Sequence, residues 1–494
     1  MSEHLADPSD QGLRRLAAGT LLVAFQGVTP PEWVLRELAG GLGGVTLFGF
    51  NVADPVQLST LTARLREAGE PVISLDEEGG DVTRLDYHVG SPYPGNAALG
   101  AVDDVELTRR VYRSIGDDLA RCGVNLDMAP SADVNTADDN PVIGTRSFGP
   151  DTALVARHTV AAVHGLQSAQ VAACVKHFPG HGATRQDSHL EIPLVDASIE
   201  LLRERELAPF RAAIGAGTKS VMTAHVRVPA LTGTAPATLS AAALTGLLRG
   251  EMGYDGVVVT DALDMRAITE SVGLAGGAVL SLAAGADLLC LGPLPTENDV
   301  RRIVDEIVAA VGDGRLPAAR LEAAAERVAR LRAWSGAPRT GRAEESVIGL
   351  TAARRAVTLT GSAAPLVDPL VVEVDTPPTI AVGDVPWGFA LLMPQAEVVR
   401  VRPEAADVPA ILERAVGRSL VVVVKDAHRY ESSQTVVSAL LATRPDATVV
   451  EMGLPIWRPE GATYLATYGA ARANAQAAAE ILAGHSSTAP AGSR

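Results

Sequence analysis

The sequence predicts an α/β protein, a TIM (β/α)8 barrel followed by a smaller α/β sandwich domain. Short β-branched runs alternate with longer helical patterns over about the first 330 residues. There are eight such runs, and the connections after the third, fourth and fifth are long, at 77–103, 130–150 and 177–197. A stretch rich in Gly, Pro and charged residues separates this region from a second, shorter α/β pattern.

The eight predicted strands are TLLVAF (20–25), VTLFGF (45–50), PVISLD (71–76), VNLDMA (124–129), VAACVK (171–176), SVMTAH (220–225), GVVVTD (256–261) and DLLCLG (287–292). Apolar residues at helical spacing lie between them at 55–69, 104–121, 151–168, 198–215 and 240–252. This alternation indicates right-handed βαβ units and a parallel sheet, and eight units favour a closed barrel. An open doubly wound sheet is the alternative. No GxGxxG motif follows the first strand, which disfavours the dinucleotide-binding form of that fold.

We expect the barrel domain to span 1–335, a linker 336–350, the second domain 351–485 and a disordered tail 486–494. The second domain contains the runs PLVVEV, LVVVVKD and ATVVEMG, separated by helical patterns such as 433–443 and 467–483. Such a pattern is typical of a three-layer α/β sandwich.

Composition excludes several classes of function. The chain has 494 residues, 47% of them hydrophobic and 20% charged, which is typical of a globular protein. A formal net charge of −16 and only 4% aromatic residues argue against nucleic acid or an anionic membrane as a partner. The three cysteines, Cys122, Cys174 and Cys290, are far apart, odd in number and form no CxxC pair, so we expect no disulfide framework. The acidic, polar N-terminus predicts no signal peptide. We therefore expect a cytoplasmic protein.

The segment CVKHFPGHGATRQDSHLEIP (174–193) has the highest density of chemically versatile residues. Lys176 and His177 stand at the end of the fifth strand, and a Gly/Pro loop follows with His181, Asp187 and His189. Asp187 can hydrogen-bond His189, fixing its tautomer and raising its basicity for proton transfer. A zinc site has the same residue types, but the Pro and Gly of FPGHG prevent the helix that would place both histidines on one face.

Other charged residues end neighbouring strands. Asp261 closes the Val run of the seventh strand, and Asp76 closes the third. A helix N-cap is the alternative role for Asp261. Asp127 and Asp133 after the fourth strand could satisfy loop backbone, and we interpret Glu77 as a surface charge. Because strand ends of a parallel barrel share one face, Asp76, Lys176 and Asp261 should meet at one cavity suited to a polyhydroxylated substrate.

The motifs in which these residues lie resemble glycoside hydrolase family 3, and within it the NagZ-like β-N-acetylhexosaminidase branch. The segments that carry the resemblance are DEEGG followed by RL, GTRSFG, KHFPGHG with DSH, and PATLS followed by LLRGEMGYDGVVVTDALDM. They occur in the family's order between about 70 and 270. KHFPGHG followed by DSH is the specific part, since it distinguishes the branch with a histidine acid/base from relatives that use a glutamate in another domain. One departure is Ala183, where the family loop often has an acidic residue.

The resemblance implies a role for each matching residue. Asp261 would be the nucleophile, and His189, paired with Asp187, the acid/base. The residues implied to bind the terminal sugar are Asp76, Arg84, Arg146, Lys176, His177 and His225. The partner would be a carbohydrate, with no metal, no cofactor, no nucleic acid and no membrane. The sequence does not reveal the role of the second domain or the oligomeric state.

The implied activity is that of a retaining β-N-acetylhexosaminidase, which releases non-reducing terminal N-acetyl-β-D-glucosamine, in the recycling of cell-wall muropeptides. A β-N-acetylglucosaminide phosphorylase on the same site is an alternative, because a neutral imidazole base would be less repulsive toward phosphate than a carboxylate. A β-glucosidase on the same site is a further alternative. A barrel metallohydrolase is a weaker alternative. A catalytically silent sugar-binding protein is disfavoured by the presence of Asp261, Asp187 and His189.

Overall fold

The computed structural model describes residues 8–185, 192–335, 347–362 and 365–484. They form an eight-stranded parallel sheet followed by a separate six-stranded sheet. The first sheet has the order β7-β6-β5-β4-β3-β2-β1-β8, and a parallel bridge between Val259 and Leu288 joins its two edges. The predicted TIM barrel with a smaller α/β sandwich domain is confirmed, and the open doubly wound sheet is excluded.

Each barrel strand corresponds to one predicted run. The strands are β1 (Leu21–Val23), β2 (Gly44–Thr46), β3 (Val72–Leu75), β4 (Leu126–Asp127), β5 (Ala172–Phe178), β6 (Ser220–Thr223), β7 (Val257–Val259) and β8 (Leu289–Cys290). Alternate residues face opposite sides of the barrel wall. Leu22, Val72 and Val257 belong to the cluster inside the barrel, whereas Leu21, Ile73 and Val258 pack outward under the helices. Burial on both faces explains why these runs are almost wholly apolar.

Helices surround the barrel strands. They are Pro8–Ala18, Glu32–Gly40, Pro55–Ala68, Asn96–Val102, Val105–Arg121, Thr152–Ser168, Ile199–Leu201, Leu207–Gly215, Pro229–Thr232, Arg266–Ala284, Glu297–Gly312 and Ala318–Trp334. Two segments, Leu202–Glu206 and Ala242–Glu251, have π-helical hydrogen bonding. Short 3-10 turns occur at Gly49–Asn51, Gly144–Arg146 and Ala237–Leu239. Asp54, Asp104 and Asp151 cap their helices by accepting backbone N–H groups.

Helix Arg266–Ala284 is the one helix of the described chain that is long and apolar enough, by length and composition, to cross a membrane. It packs against the barrel, with Ile268, Val279 and Leu282 in the core. Gly273, at φ 70°, interrupts its helical geometry. Its position in the barrel shell accounts for its apolar composition.

The second domain has a six-stranded sheet of order β11-β10-β12-β13-β14-β9. Its strands are β9 (Thr358–Thr360), β10 (Leu370–Val374), β11 (Glu397–Val401), β12 (Leu420–Val424), β13 (Thr448–Glu451) and β14 (Thr463–Ala466). Its helices are Val408–Arg414, Glu431–Thr443 and Arg472–Leu482, with 3-10 turns at Pro403–Ala405 and Ala427–Arg429. Val422 and Val424 pack on one face, and Val421 and Val423 pack on the other. Both faces are therefore covered, as in a three-layer sandwich.

Helix Val347–Ala356 joins the two domains. Its first residues, 347–350, fall in the predicted linker, whose remainder, 336–346, lies outside the described residues. Ala352 packs into the barrel-domain core, while Ala353 packs against Ala473 of the second domain. A Cβ on Gly349 would lie 2.1 Å from the Pro92 carbonyl oxygen, so only glycine permits this contact. The predicted tail, 486–494, also lies outside the described residues.

Candidate active site

A cavity of about 380 Å³ opens at the C-terminal end of the barrel strands. Six of the predicted site residues line it: Asp76, Arg84, Arg146, Lys176, His177 and Asp261. They come from the ends of β3, β5 and β7 and from the loops after β3 and β4, which the closed barrel brings to one face. Phe48, Met128, Met222 and Met265 supply an apolar part of the lining.

The predicted acid/base pair, Asp187 and His189, lies in 186–191, outside the described residues. The structure therefore describes the loop up to Arg185 and again from Ile192. The described part includes His181, which lines the cavity.

A buried network of opposite charges forms the floor of the cavity. Lys176 Nζ lies 2.5 Å from Asp76 Oδ1 and 2.7 Å from Glu78 Oε1. Arg146 donates from Nε and Nη2 to the two oxygens of Glu78, at 3.0 and 2.8 Å. Burial alone would raise the pKa of Glu78, but Arg146 and Lys176 hold that pKa well below its usual range. Glu78 is thus the shared counterion that holds both cations at the cavity.

His177 is held by a second buried carboxylate, Asp133. Nδ1 of His177 lies 2.7 Å from Asp133 Oδ2, and Nε2 lies 3.2 Å from Arg146 Nη2. Because a guanidinium can only donate, Nε2 accepts and the proton of the neutral ring resides on Nδ1. Burial tends to raise the pKa of Asp133, but His177 and His181 lower it to about 2. Asp133 therefore stays ionised and fixes the ring of His177.

His181 is a neutral histidine with a defined tautomer. The Thr184 hydroxyl donates its proton to the His181 carbonyl oxygen at 2.9 Å. The hydroxyl oxygen therefore accepts from Nδ1–H of His181, at 2.7 Å. Burial lowers the pKa of His181 to about 4. Its Nε2 has no hydrogen-bond partner among the residues that the structure describes.

Asp261 follows β7 and lines the cavity. Its backbone N–H donates to the Thr223 carbonyl at 3.2 Å, which ties it to the end of β6. Its Oδ1 accepts from the N–H of Ala262 at 2.8 Å. The alternative role as an N-cap is not observed, because the next helix begins at Arg266 with Met265 at the cap position.

His225 was predicted to bind substrate, but it does not line the cavity. It is fully buried, with Nε2 2.9 Å from the Ala262 carbonyl oxygen and Nδ1 2.8 Å from the Thr238 hydroxyl. Both ring nitrogens are thus engaged with the protein. His225 instead supports the backbone beside Asp261.

Glu77 is not a surface charge, contrary to the interpretation of the sequence. It is 1% exposed, and its Oε2 accepts from the Thr83 hydroxyl and from the backbone N–H groups of Arg84 and Leu85. Burial raises the pKa of Glu77 to about 8. Burial also raises the pKa of Asp127, whose Oδ1 accepts from the N–H of Glu77 at 3.0 Å. These two carboxyl groups hold the loop after β3 in place by accepting hydrogen bonds from its backbone N–H groups.

The second domain contributes to the cavity wall, which the sequence did not reveal. Ile380 and Ala381 line the cavity beside Arg84. The Arg84 guanidinium donates to the carbonyl oxygens of Ala381 at 2.7 Å and Val382 at 3.4 Å. A charged residue of the barrel domain is thus oriented by backbone of the second.

In the described part of the chain, no group of three or more His, Cys, Asp and Glu is arranged to hold a metal ion. Of the histidines weighed as zinc ligands, His177 has both ring nitrogens in hydrogen bonds and His181 has Nδ1 in one. His189 and Asp187 lie outside the described residues.

Comparison with known proteins relates this geometry to a family. Residues 30–331 match the N-terminal domain of glycosyl hydrolase family 3. Over 333 residues the chain is 34% identical to beta-hexosaminidase A of Pseudoalteromonas piscicida, covering 61% of this chain and 55% of that protein. Over 316 residues it is 36% identical to beta-hexosaminidase LpqI of Mycobacterium tuberculosis, covering 60% of this chain and 79% of that protein.

A solved structure resembles almost the whole chain. It is a family 3 beta-N-acetylglucosaminidase from Paenibacillus sp. str. FPU-7, with a TM-score of 0.86 and 34% identity, covering 96% of this chain and 97% of that one. The likeness extends over both domains. The chain belongs to glycosyl hydrolase family 3 and is a glycoside hydrolase.

Proposed function

We propose that this protein is a retaining β-N-acetylhexosaminidase that removes non-reducing terminal N-acetyl-β-D-glucosamine. The observation that carries the proposal is the position of Asp261, which lines the same cavity as the buried cations Lys176 and Arg146. A nucleophilic carboxylate beside a set of hydroxyl-binding groups suits a glycosidase. The names of the family 3 relatives support the choice of sugar.

The cavity offers complementary groups for a sugar. Asp76 is partly exposed and can accept hydrogen bonds from sugar hydroxyls. Its ion pair with Lys176 also holds that lysine in place. Lys176, Arg146 and Arg84 supply donors for hydroxyl or acetamide oxygens. The apolar side chains Met128 and Met222 can contact the less polar faces of the ring.

In the proposed mechanism, Asp261 attacks the anomeric carbon as the bond to the leaving oxygen breaks, and His189 gives that oxygen a proton. A glycosyl ester on Asp261 results. His189 then takes a proton from water, whose oxygen attacks the same carbon and releases Asp261. Two inversions give net retention. Asp187 would orient His189 and stabilise its protonated form.

Two substitutions separate the proposed roles. Asp261→Asn should be nearly inactive on every aryl glycoside, because both steps need the nucleophile. His189→Ala should still react with dinitrophenyl N-acetyl-β-glucosaminide, whose leaving group departs without a proton, but should stall at the ester. Azide should then restore turnover and yield the β-glycosyl azide. If His189→Ala cleaves substrates with poor leaving groups at the wild-type rate, another residue is the acid/base.

A panel of aryl β-glycosides, assayed with and without phosphate, tests the substrate and the acceptor. We expect the N-acetylglucosaminide to be the best substrate and phosphate to have no effect on the product. A sugar 1-phosphate product would identify a phosphorylase, and a preference for glucosides would identify a β-glucosidase. Proton NMR of the first product should show the β-anomer, and an initial α-anomer would exclude double displacement.

We further propose cell-wall muropeptides as the natural source of substrate and the cytoplasm as the site of action. The three cysteines, Cys122, Cys174 and Cys290, are buried free thiols, which supports a reducing compartment. Cell fractionation with an antibody to the protein tests the location. Release of N-acetylglucosamine from purified muropeptides, followed by mass spectrometry, tests the substrate.

A further inference from the structure

The loop that carries two of the predicted sugar-binding residues is held from outside by the second domain. We call residues 76–91, which follow β3, the sugar-binding loop. The N–H of Asp384 donates to the Tyr87 hydroxyl at 2.9 Å, and Arg472 Nε donates to the Gly90 carbonyl at 3.2 Å. With the two carbonyls that accept from Arg84, these contacts span residues 84–90 of the loop.

Asp81 makes the most buried of these contacts, with a side chain only 3% exposed. Its Oδ1 accepts from the N–H of Ala470 at 2.7 Å. Its Oδ2 lies 3.2 Å from Lys425 Nζ and accepts from the Thr145 hydroxyl at 3.1 Å. Lys425 follows β12 directly, and Thr145 precedes Arg146. One carboxylate thus connects the second domain to both loops that bring cations to the cavity.

The backbone before Asp81 forms a tight turn. Gly79 and Gly80 have φ values of 69° and 66°, and a Cβ on Gly80 would lie 2.5 Å from the Cα of Gly95. Glycine is needed at both positions for this conformation. Val82 and Arg84, which line the cavity, follow immediately. The position of Asp81 therefore sets the path of the chain into the cavity wall.

Burial makes Asp81 dependent on its cationic partner. A carboxylate removed from water is stable only when its charge is paired and its oxygens are hydrogen-bonded. Thr145 and the N–H of Ala470 are neutral partners, and Lys425 is the positively charged group that Asp81 contacts in the described part of the chain. Loss of that charge should shift Asp81 and, with it, the residues that follow.

We propose that Lys425 is a positioning residue for the sugar site: through Asp81 it fixes the sugar-binding loop so that Asp76 and Arg84 meet the substrate. This inference takes the identity of the sugar from the proposed function. The contacts that hold the loop do not depend on that function. The nucleophile Asp261 lies on a different strand end. Misplacing the loop should therefore weaken binding of the sugar in the ground state and transition state alike, which raises KM and leaves kcat.

The kinetic test compares two full-length variants that each break an ion pair between the domains. Lys425→Met should raise KM for 4-nitrophenyl N-acetyl-β-glucosaminide about tenfold, by analogy with the loss of a partner that orients a metal ligand, with kcat changed less than about threefold. The inhibition constant of free N-acetylglucosamine should rise in parallel. Lys425→Arg should restore most of the affinity. Arg355→Met removes the pair with Asp104, at 2.8 Å, which includes no residue of the loop, and should leave KM unchanged.

Hydrogen exchange separates this inference from the identity of the sugar. Amides of 76–91 should exchange faster in Lys425→Met than in the wild type or in Arg355→Met, whatever glycoside the enzyme prefers. Asp81→Asn, which keeps an oxygen for the N–H of Ala470, should reproduce the change, and the double variant should add little to it. This second variant also serves if Lys425→Met does not fold.

Unchanged exchange in 76–91, or an unchanged KM for whichever aryl glycoside the wild type prefers, would overturn the proposal. An equal rise of KM in Arg355→Met would also overturn it, because any interdomain contact would then suffice. If the wild type hydrolyses no N-acetylglucosaminide but shows the exchange pattern, the proposed sugar fails while the positioning role stands.

Discussion

Asp133 and His177 form a buried carboxylate–imidazole pair, with Asp133 Oδ2 2.7 Å from Nδ1 of His177. The pair leaves Nε2 as the acceptor of a hydrogen bond from Arg146. The sequence pointed to a carboxylate–histidine pair at Asp187 and His189, and the described residues contain a second pair of this type at the cavity. Its role is to fix an imidazole beside the buried cation Arg146.

Asp133→Asn should lower kcat/KM about 10- to 100-fold, by analogy with the loss of the carboxylate that orients a metal-bound histidine. An amide in place of the carboxylate can offer its NH2 group to Nδ1, which would reverse the tautomer and leave Nε2–H facing the Arg146 donor. Steady-state kinetics on an aryl N-acetyl-β-glucosaminide measures the loss. Ser131→Ala, which removes the hydroxyl that donates to Asp133 Oδ2 at 2.9 Å and accepts from the Asp133 N–H at 3.4 Å but keeps the carboxylate, is the milder control. Wild-type kinetics for Asp133→Asn would show that the pair is dispensable.

Glu78→Gln should both weaken sugar binding and destabilise the fold. The change leaves Arg146 and Lys176 buried without their shared counterion, and removing one partner of a buried ion pair costs about 3–5 kcal/mol. Denaturant unfolding should show a loss of this size, and KM should rise. Glu251→Gln is the matched control, because Glu251 pairs with Arg203 at 2.8 Å on the surface, where such a pair contributes less than about 1 kcal/mol. Equal losses in the two variants would contradict this assignment.

Much of the fold was predictable because the barrel strands are buried on both faces. That requirement produces runs such as VVV at 257–259, which stand out from the amphipathic helices around them. In the second domain the same signal revealed β10, β12 and β13. It failed for β9, which is exposed and only three residues long, and for the partly exposed β11. It also failed for β14, which is mostly buried but whose four residues, TYLA, do not form a β-branched apolar run.

The site was predictable where chemistry coincides with a strand end. Asp76, Lys176 and Asp261 were placed at one cavity by the topology of a parallel barrel alone. The buried environment of Glu77 was not predictable, because burial of a carboxylate depends on hydrogen-bond donors, and here these lie six to eight residues further along the loop. His225 shows the same limit, since its partner Ala262 lies on another strand end.

The contribution of the second domain could not be foreseen for a related reason. Ala381 and Val382 bind Arg84 through backbone carbonyls, and a carbonyl carries no signature in the sequence. The contact also joins residues almost 300 positions apart.

Chelation should leave activity intact. Both ring nitrogens of His177 are in hydrogen bonds, so it cannot also bind an ion in this arrangement. The proposed displacement by Asp261 and proton transfer by His189 use only side chains. Activity after exhaustive dialysis against EDTA, compared with a sample dialysed against buffer, measures the effect. Full loss of activity that zinc restores would contradict the metal-free mechanism.

The buried carboxyl of Glu77 should make the fold less stable as pH rises. Burial raises its pKa from 4.5 to about 8, so between these pH values the folded chain retains a proton that the unfolded chain has lost. Because the folded state binds more protons in this window, the free energy of unfolding falls as pH increases. The shift corresponds to about 5 kcal/mol across the window.

Glu77→Gln should remove this dependence. The amide oxygen can take the place of Oε2 and accept from Thr83, Arg84 and Leu85, while the NH2 group occupies the site of Oε1, which lacks a partner among the described residues. That unsatisfied donor imposes a cost independent of pH. Relative to the wild type, the variant should therefore gain stability steadily from about pH 5 to pH 8 and change no further above it. Denaturant unfolding at each pH measures the difference, with the exposed Glu251→Gln as control. If the curves of Glu77→Gln and the wild type run parallel from pH 5 to pH 8, Glu77 is ionised in the folded protein across that range, and its three donors outweigh the cost of burial.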